Sequence, residues 1–539
     1  MPELLVEKSI IVVTAAALIL SRLPKLWFDR SGRLRPMIIF WAWSMAACSL
    51  LLQLLITPLN DDEVYYLAYA FAAQHGEVSG HLPMRVWLFY PFLALGLSSA
   101  ATLLLGRLTM LANALLIGCL VTSIARKIDK STSTAPILGA LAVIALANLP
   151  MILLRPEYFA CLFLLFGIWA LVAAPHNWPR PFSIFMGLLL ITLACTTSLR
   201  LALFIAVGPI IVLFESGRMR RLTAFAFSIL GIIAGSIPSA IYLAQTSSLE
   251  SLLYWNFTLV QKAQFIDLDE RLVLPAMVVT IALAGCYYLC RIDASFWTRR
   301  IVVILLAIAT ISAVLNPQKN PYTLGPWLAL SFIVMTAALS QWRAMGADSR
   351  KKRLYTFSLG FLFTMQIWPS MTRLADPSSI RAATAELVSQ FALVNWLESV
   401  TNGRPVACVV PYHPIRASNA WHMWNAHYYC YISDPALNLE INPDFENTLQ
   451  SGQLSIIQWD AWPKASQQSN ILQYSISRGL IDKRRVAVVA ERLSKNYRMV
   501  QWAGPLPEEY GGGSFLLRHD IKLDDRVIAR DSSFILEAK

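Results

Sequence analysis

From Met37 to Leu59 the chain carries no charged residue, a run long enough as a helix to cross the hydrocarbon core of a bilayer, and similar runs recur as far as Pro369. Backbone polar groups in hydrocarbon must be satisfied within their own segment, so a chain made of such runs folds as membrane helices. Composition agrees: 56% of the 539 residues are hydrophobic and only 14% charged, against roughly 25% charged in soluble domains. A formal net charge of +12 would suggest nucleic acid in a soluble protein. Here the cations fall in turns between apolar runs, where they orient the chain, so nucleic-acid binding is not expected.

The runs Ile10–Leu20, Met37–Leu59, Ala100–Ile124, Ala135–Leu153, Tyr158–Ala174, Phe182–Ser198, Leu201–Phe214, Leu222–Ala244, Leu272–Cys290, Ile301–Leu315, Tyr322–Gln341 and Leu354–Pro369 predict about twelve spans, a polytopic α-helical membrane protein. Pro91, Gly96 and Arg107 break the longer stretch Val86–Ser123 into a shallow interfacial helix near Trp87–Leu97 followed by a true span. Basic clusters occupy alternate turns: Arg22 to Arg35, Arg126 to Lys130, Arg180, Arg218 to Arg221, Arg291 to Arg300, and Arg343 to Arg353. The positive-inside rule then places Asp61-Asp62-Glu63, Arg155-Pro156-Glu157, Gln245 to Arg271 and Asn316 to Asn320 on the non-cytoplasmic side, where one chamber could collect them.

Residues 1–372 are therefore expected to form the membrane domain, with a first outer loop at about 58–99, and residues 373–539 a small extracytoplasmic α/β domain. In that tail Ala382–Val400 has helical amphipathicity. Pro405–Pro411, Ser455–Trp459 and Val486–Val489 read as short buried strands, and a helix near Asn470–Arg478 is stopped by Gly479. Gly511 to Gly513 form a turn before the strand-like Ser514–Arg518. Cys408 and Cys430 are the only cysteines of the tail, and an oxidising compartment would permit a disulfide that spacing alone does not establish. His413, His422 and His427 sit among aromatic residues at a spacing that suits a packing surface better than a metal site.

Three consecutive carboxylates, Asp61, Asp62 and Glu63, stand where the Met37–Leu59 run ends. Asn60 and Glu63 read as a capping box for a helix over Val64–Gln74, which accounts for those two residues and leaves Asp62 without a structural duty. Acids at a membrane surface are costly, which makes this cluster the first candidate for chemistry.

Asp62-Glu63-Val64-Tyr65, following a span, resembles the acidic motif in the first outer loop of the GT-C glycosyltransferases, in particular the protein O-mannosyltransferases and the lipid A aminoarabinose transferases. Gly76 with His81-Leu82-Pro83 is similar to that family's interfacial segment. Arg155-Pro156-Glu157 resembles its second outer motif, and Pro317 to Tyr322 leading into Leu324-Gly325-Pro326-Trp327 resembles its late motif. The resemblance implies transfer of a sugar, with inversion, from a polyprenyl-phosphate donor to a lipid, glycan or protein acceptor, at the periplasmic face of a bacterial inner membrane.

In that chemistry an acceptor hydroxyl must lose its proton, and a positioned carboxylate is the natural base. Asp62 matches the family's acid; Asp61 could raise its pKa by like-charge repulsion or itself be the base, and Glu63 adjoins both. The leaving lipid phosphate calls for outer cations: Arg155 and Lys319 first, then Arg200 and Lys262. Glu157, Tyr66, His81 and Tyr322 are expected at the acceptor or sugar, although Glu157 could equally pair with Arg155, and Tyr66 could belong to an interfacial aromatic belt. Adjacent acids could hold Mg²⁺ or Mn²⁺, which the resembled branches do not need. The rival reading is a polytopic transporter or a lipid-linked-sugar flippase. Against it, no repeat relates the two halves, and the polar residues gather on one side instead of at mid-depth.

Overall fold

The computed structural model describes residues 36–75, 83–128, 135–147, 153–175, 177–246, 249–253, 296–315, 325–344, 376–408, 412–417, 444–460, 462–464, 467–477, 479–507, 513–523 and 525–530. The expected spans Ile10–Leu20, Leu272–Cys290 and Leu354–Pro369 lie outside the described residues, as do His81, Lys262, Lys319, Tyr322, His422, His427 and Cys430. The chain divides into two compact units, one of Met1–Leu54, Arg107–Ile241 and Asp269–Ile380, the other of Leu55–Gly106, Tyr242–Leu268 and Arg381–Lys539.

Helices α1 (Pro36–Ile56), α2 (Asp61–Gln74), α3 (Pro83–Ala94), α4 (Ser99–Ile128), α5 (Ala135–Ala147), α6 (Pro156–Val172) and α7 (Arg180–Thr197) are followed by a 3₁₀ helix, Leu199–Ala206. Then come α8 (Val207–Phe214), α9 (Arg218–Thr246), α10 (Leu249–Leu253), α11 (Phe296–Leu315) and α12 (Gly325–Ala344). Among the described residues α1, α4, α7 and α9 are long and apolar enough to cross a membrane, and α5, α6, α11 and α12 contain shorter apolar helices. The chain is a multi-pass membrane protein.

In the first unit the helices approach closely where side chains are absent. A Cβ at Gly167 of α6 would lie 2.8 Å from the Gly187 carbonyl oxygen of α7; one at Gly139 of α5 would lie 2.5 Å from the Gly118 carbonyl oxygen of α4. Gly231 and Gly235, one turn apart on α9, face Phe185 and Leu189 of α7, and a Cβ at either would lie 2.6 Å from a carbonyl oxygen. Small residues at such spacing let membrane helices pack backbone to backbone. The expected span Leu201–Phe214 is broken instead: Pro209 lacks an N–H and suits the first turn of a helix, so α8 starts afresh at Val207 and the preceding residues tighten into the 3₁₀ helix.

The second unit contains the tail fold. After α13 (Pro377–Thr401) come β1 (Val406–Ala407), α14 (Phe445–Gln450), β2 (Ile456–Gln458), β3 (Trp462–Lys464), β4 (Gln467–Ser469), α15 (Ile471–Ser477), a 3₁₀ turn, Lys483–Arg485, α16 (Val486–Asn496), β5 (Tyr497–Trp502), β6 (Ser514–Arg518) and β7 (Val527–Arg530). Strands β1-β2-β6-β5-β7 form one sheet, parallel only between β1 and β2, with Ile456 opposite Leu517 and Met499 opposite Leu516; β3 and β4 form a separate hairpin.

Side chains alternate across this sheet and both faces are covered. Val406, Ile456, Val500, Phe515 and Leu517 pack with Leu393, Trp396 and Leu397 of α13. Ala407, Ile457, Met499 and Leu516 pack with residues of α14, α15 and α16. Burial on both faces makes the strands read as continuous apolar runs. That is also why Val486–Val489, expected as a strand, misled: it is the first turn of α16, whose buried positions Val486, Val489, Ala490 and Leu493 recur at helical spacing. Gly479 follows α15 at φ +68°, as its role of helix stop requires.

Candidate functional site

Four residues separate the end of α1 from the helix headed by the acids. Asn60 occupies the position before α2, Asp61 and Asp62 fill its first two places, and the Asn60 N–H donates to Glu63 Oε2 at 3.2 Å. The Glu63 arm of the capping box is therefore present, with the Glu63 N–H donating to the Asn60 carbonyl at 3.2 Å, α2 beginning at Asp61 and the three acids forming the first turn, where the helix dipole favours negative charge. Glu63 is fully buried and Val64 through Ala70 are buried, so this stretch of α2 is packed on every side within its unit. The Tyr66 ring stacks on Phe89 of α3 at 5.5 Å and 11°, with the Arg85 guanidinium 5.5 Å from its centroid. Tyr65 packs edge-on against Tyr66. These rings are interior packing groups, and one face of Tyr66 is already occupied.

Helix α13 of the tail grips both ends of this segment. Thr384 Oγ1 donates to the Leu55 carbonyl at 3.3 Å, and the Leu59 N–H donates to Gln390 Oε1 at 2.9 Å. At the other end, the first two N–H groups of α4 donate to α13 side chains: Ser99 N to Glu398 Oε2 at 2.8 Å and Ala100 N to Asn395 Oδ1 at 2.9 Å. A helix start has no intrahelical partners for its first N–H groups, so acceptors supplied from elsewhere cap it. Arg416 Nη1 donates to the second oxygen of Glu398 at 2.9 Å and steadies it.

In the first unit Arg155 is the residue before α6, extended at φ −124° and ψ 141° as a residue preceding proline must be; Pro156 then opens the helix and Glu157 lies in its first turn. Both Arg155 and Glu157 are buried, at 8% and 9% exposure. Arg200 lies in the 3₁₀ helix after α7, at the same end of the antiparallel α6–α7 pair, and its carbonyl accepts from Ser312 Oγ near the end of α11 at 2.5 Å. A Cβ at Gly325, the first residue of α12, would come within 3.9 Å of Cys161 on α6 and 3.8 Å of Leu146 at the end of α5. The described ends of α11 and α12, which flank 316–324, thus lie at the end that holds Arg155, Glu157 and Arg200. Trp327, buried in the first turn of α12, has an indole N–H with no partner among the described residues. The opposite end carries Arg180, paired with Glu215 at 3.4 Å, and Arg221, which donates to the Glu215 carbonyl at 2.9 Å.

One cation escaped the sequence reading as a functional residue. Arg107, treated there only as a break in an apolar run, is fully buried inside α4. Trp169 Nε1 of α6 donates to Ser123 Oγ of α4 at 3.1 Å. Counting back from that bond at about 1.5 Å per residue puts Arg107 roughly 24 Å and Arg155 roughly 21 Å along their helices, so the two lie at similar depth. The signal was available: an ionisable residue inside a membrane span is a functional candidate by default. Among the described residues no group of three His, Cys, Asp or Glu is arranged to hold a metal.

No family model matches the sequence, and no curated relative matches it. Among solved structures the chain is similar to the apo oligosaccharyltransferase of Archaeoglobus fulgidus, at 11% identity and a TM-score of 0.46, over 93% of this chain and 78% of that one. It is similar also to the arabinofuranosyltransferase AftD from mycobacteria, at 15% identity and a TM-score of 0.43, over 81% of this chain and 38% of that one. Likenesses this loose decide neither substrate nor chemistry, which rest on the residues themselves.

Proposed function

We propose that this chain is a membrane glycosyltransferase that moves a sugar from a polyprenyl-phosphate donor to a hydroxyl acceptor on a lipid, glycan or protein, at the periplasmic face of a bacterial inner membrane. The observation that carries this reading is the acid-headed helix α2, which is separated by four residues from a membrane-length helix and lies in a segment that the tail holds at Leu59 before it and at Ser99 after it. Asp62 accepts the acceptor's proton, with Asp61 beside it. The freed oxygen attacks the anomeric carbon opposite the phosphate, the bond from that carbon to the phosphate oxygen breaks, and the electron pair leaves with the phosphate, so the configuration inverts. Arg155 and Lys319 meet the charge that grows on the leaving phosphate, while Glu157 orients the acceptor.

Purified protein incubated with a panel of labelled prenyl-phosphate sugars tests this reading. Wild type turns over at least one of them, and Asp62→Asn, folded as judged by its melting curve, loses roughly 10²- to 10⁴-fold, the usual contribution of a general base. Full activity in Asp62→Asn removes that residue from the base role. Wild-type inertness toward every prenyl-phosphate sugar overturns the enzyme class.

A further inference from the structure

Gln390 lies on α13 of the tail and is fully buried. Its side-chain oxygen is committed, since the Leu59 N–H donates to Oε1 at 2.9 Å. That bond also settles the orientation of the amide, because an N–H needs an acceptor and only the oxygen can serve. Nε2 is left with two N–H donors, and it has no hydrogen-bond partner among the described residues. Folded proteins leave few buried donors unmade, because the cost of stripping water from them is not returned. The orphan has a telling position: Leu59 stands two residues before Asp61, on the stretch of chain that leads into the acid turn.

We infer that Gln390 belongs to a carbohydrate-binding subsite beside the acids of α2, where its Nε2 donates to a hydroxyl oxygen of the bound sugar. The chemistry of the surroundings selects this class of ligand. An uncharged amide N–H offers no counter-charge to a phosphate or other anion, and the sequence puts three acids, Asp61, Asp62 and Glu63, directly after the Leu59–Asn60 pair. A neutral hydroxyl accepts from a neutral amide. The tail thereby contributes to the reaction through a side chain that reaches ligand, in addition to the four contacts by which α13 holds the loop. This inference rests on the transferase reading and deepens it.

The test uses the full-length protein in lipid nanodiscs with whichever prenyl-phosphate sugar the wild type turns over. Gln390→Glu keeps an oxygen for the Leu59 N–H and removes both donors; Gln390→Met removes oxygen and donors alike. Asn395→Ala weakens the grip of α13 on α4 without touching the subsite, and serves as the control for a purely structural role. The expected result is a rise of about tenfold to a hundredfold in KM for one sugar substrate in Gln390→Glu, the scale of one lost buried hydrogen bond, while Asn395→Ala stays within about twofold of wild type.

A series of deoxy sugars supplies a second readout that survives poor folding of the Glu variant. The deoxy sugar that lacks the contacted hydroxyl is a worse substrate for wild type and no worse for Gln390→Met than the parent sugar is. Wild-type KM in Gln390→Glu, or equal losses from every deoxy sugar in wild type and Gln390→Met, overturns the subsite: the amide is then satisfied by water alone, and the transferase reading stands. Absence of turnover by wild type on every prenyl-phosphate sugar overturns the transferase reading and the subsite with it.

Discussion

Replacing Glu398 by alanine removes two bonds at once, and the structure says what each is worth. Oε2 accepts the Ser99 N–H at 2.8 Å at the head of α4, and Oε1 receives Arg416 at 2.9 Å. Ser99 is fully buried, so the lost acceptor is not replaced by bulk water. Loss of a helix cap costs about 1 kcal/mol, and an N–H stranded in the interior about 1–3 kcal/mol, the two figures overlapping because they describe one group. The Arg416 pair, with both side chains about one-fifth exposed, adds less than about 1 kcal/mol. The total is roughly 2–3 kcal/mol. For a unit of this size each kcal/mol moves the melting temperature by about 2–4 °C, so Glu398→Ala is expected to melt roughly 4–12 °C below wild type. Glu398→Gln retains one acceptor oxygen and loses the charge, and falls between the two. The assay is thermal unfolding of the full chain in detergent, followed by tryptophan fluorescence and by protease nicking. A double cycle with Arg416→Ala separates the pair from the cap. If Glu398→Ala melts within about 1 °C of wild type, α13 does not secure the head of α4, and the argument that the tail holds the acid-bearing loop is lost.

Two further outcomes follow from the packing and from burial. Gly235→Leu drives a side chain into the Leu189 carbonyl, which would lie 2.6 Å from the new Cβ, so α9 and α7 must part. Overpacking of this kind costs about 1–3 kcal/mol or more, and size-exclusion chromatography should show loss of the monodisperse peak, whereas substitution at the exposed Ile233 two residues away leaves it unchanged. His413, buried in the tail, has its pKa pushed down to about 4 by loss of solvent, against the ordinary 6.5, with a backbone hydrogen bond at Pro414 opposing the shift. Its folded pKa is the lower one, so below pH 6.5 the unfolded chain binds the extra proton. Stability is then level above pH 6.5 and falls as pH drops toward 4, by up to roughly 3 kcal/mol from this group. His413→Leu flattens that part of the acid limb in pH-dependent denaturation; an unchanged limb refutes the assignment.

Much of the membrane unit was legible because hydrocarbon leaves a chain few choices. The segments expected at Phe182–Ser198 and Leu222–Ala244 appear as α7 and α9 with ends shifted by a few residues. The basic residues expected on one face, Arg180 and Arg221, meet at Glu215 at one end of the first unit. What failed was local. Leu201–Phe214 reads as one apolar run because hydropathy does not register that Pro209 withdraws a donor, and the chain answers with a 3₁₀ segment. In the tail, Val486–Val489 has the β-branched composition of a strand, and only the positions beyond it, Ala490 and Leu493, reveal the helical period. Strands β5 and β7 were missed for a related reason. Tyr497–Trp502 is interrupted by Arg498 and Gln501, and Val527–Arg530 is exposed along three of its four residues, so neither presents an apolar run.

The candidate residues that the sequence offers are its charges and not their neutral partners, and the reason is physical. A carboxylate or guanidinium at the edge of an apolar run is expensive, so its presence alone asks for an explanation, and Asp61, Asp62, Glu63, Arg155 and Glu157 could be singled out without coordinates. Arg107 carried the same signal and was passed over because it stands alone. A glutamine in an amphipathic helix costs nothing noticeable, and Gln390 sits among alanines, leucines and serines that give it no special context. Its importance arises only when Leu59, 331 positions earlier in the chain, takes one half of its amide and leaves the other half empty. The same holds for Asn395 and Glu398, which become caps only once the start of α4 is placed against them. Charges at the edges of apolar runs mark the groups proposed to move protons and hold phosphate. Neutral candidates such as Gln390 come to light only by asking which buried donors the fold has left unanswered.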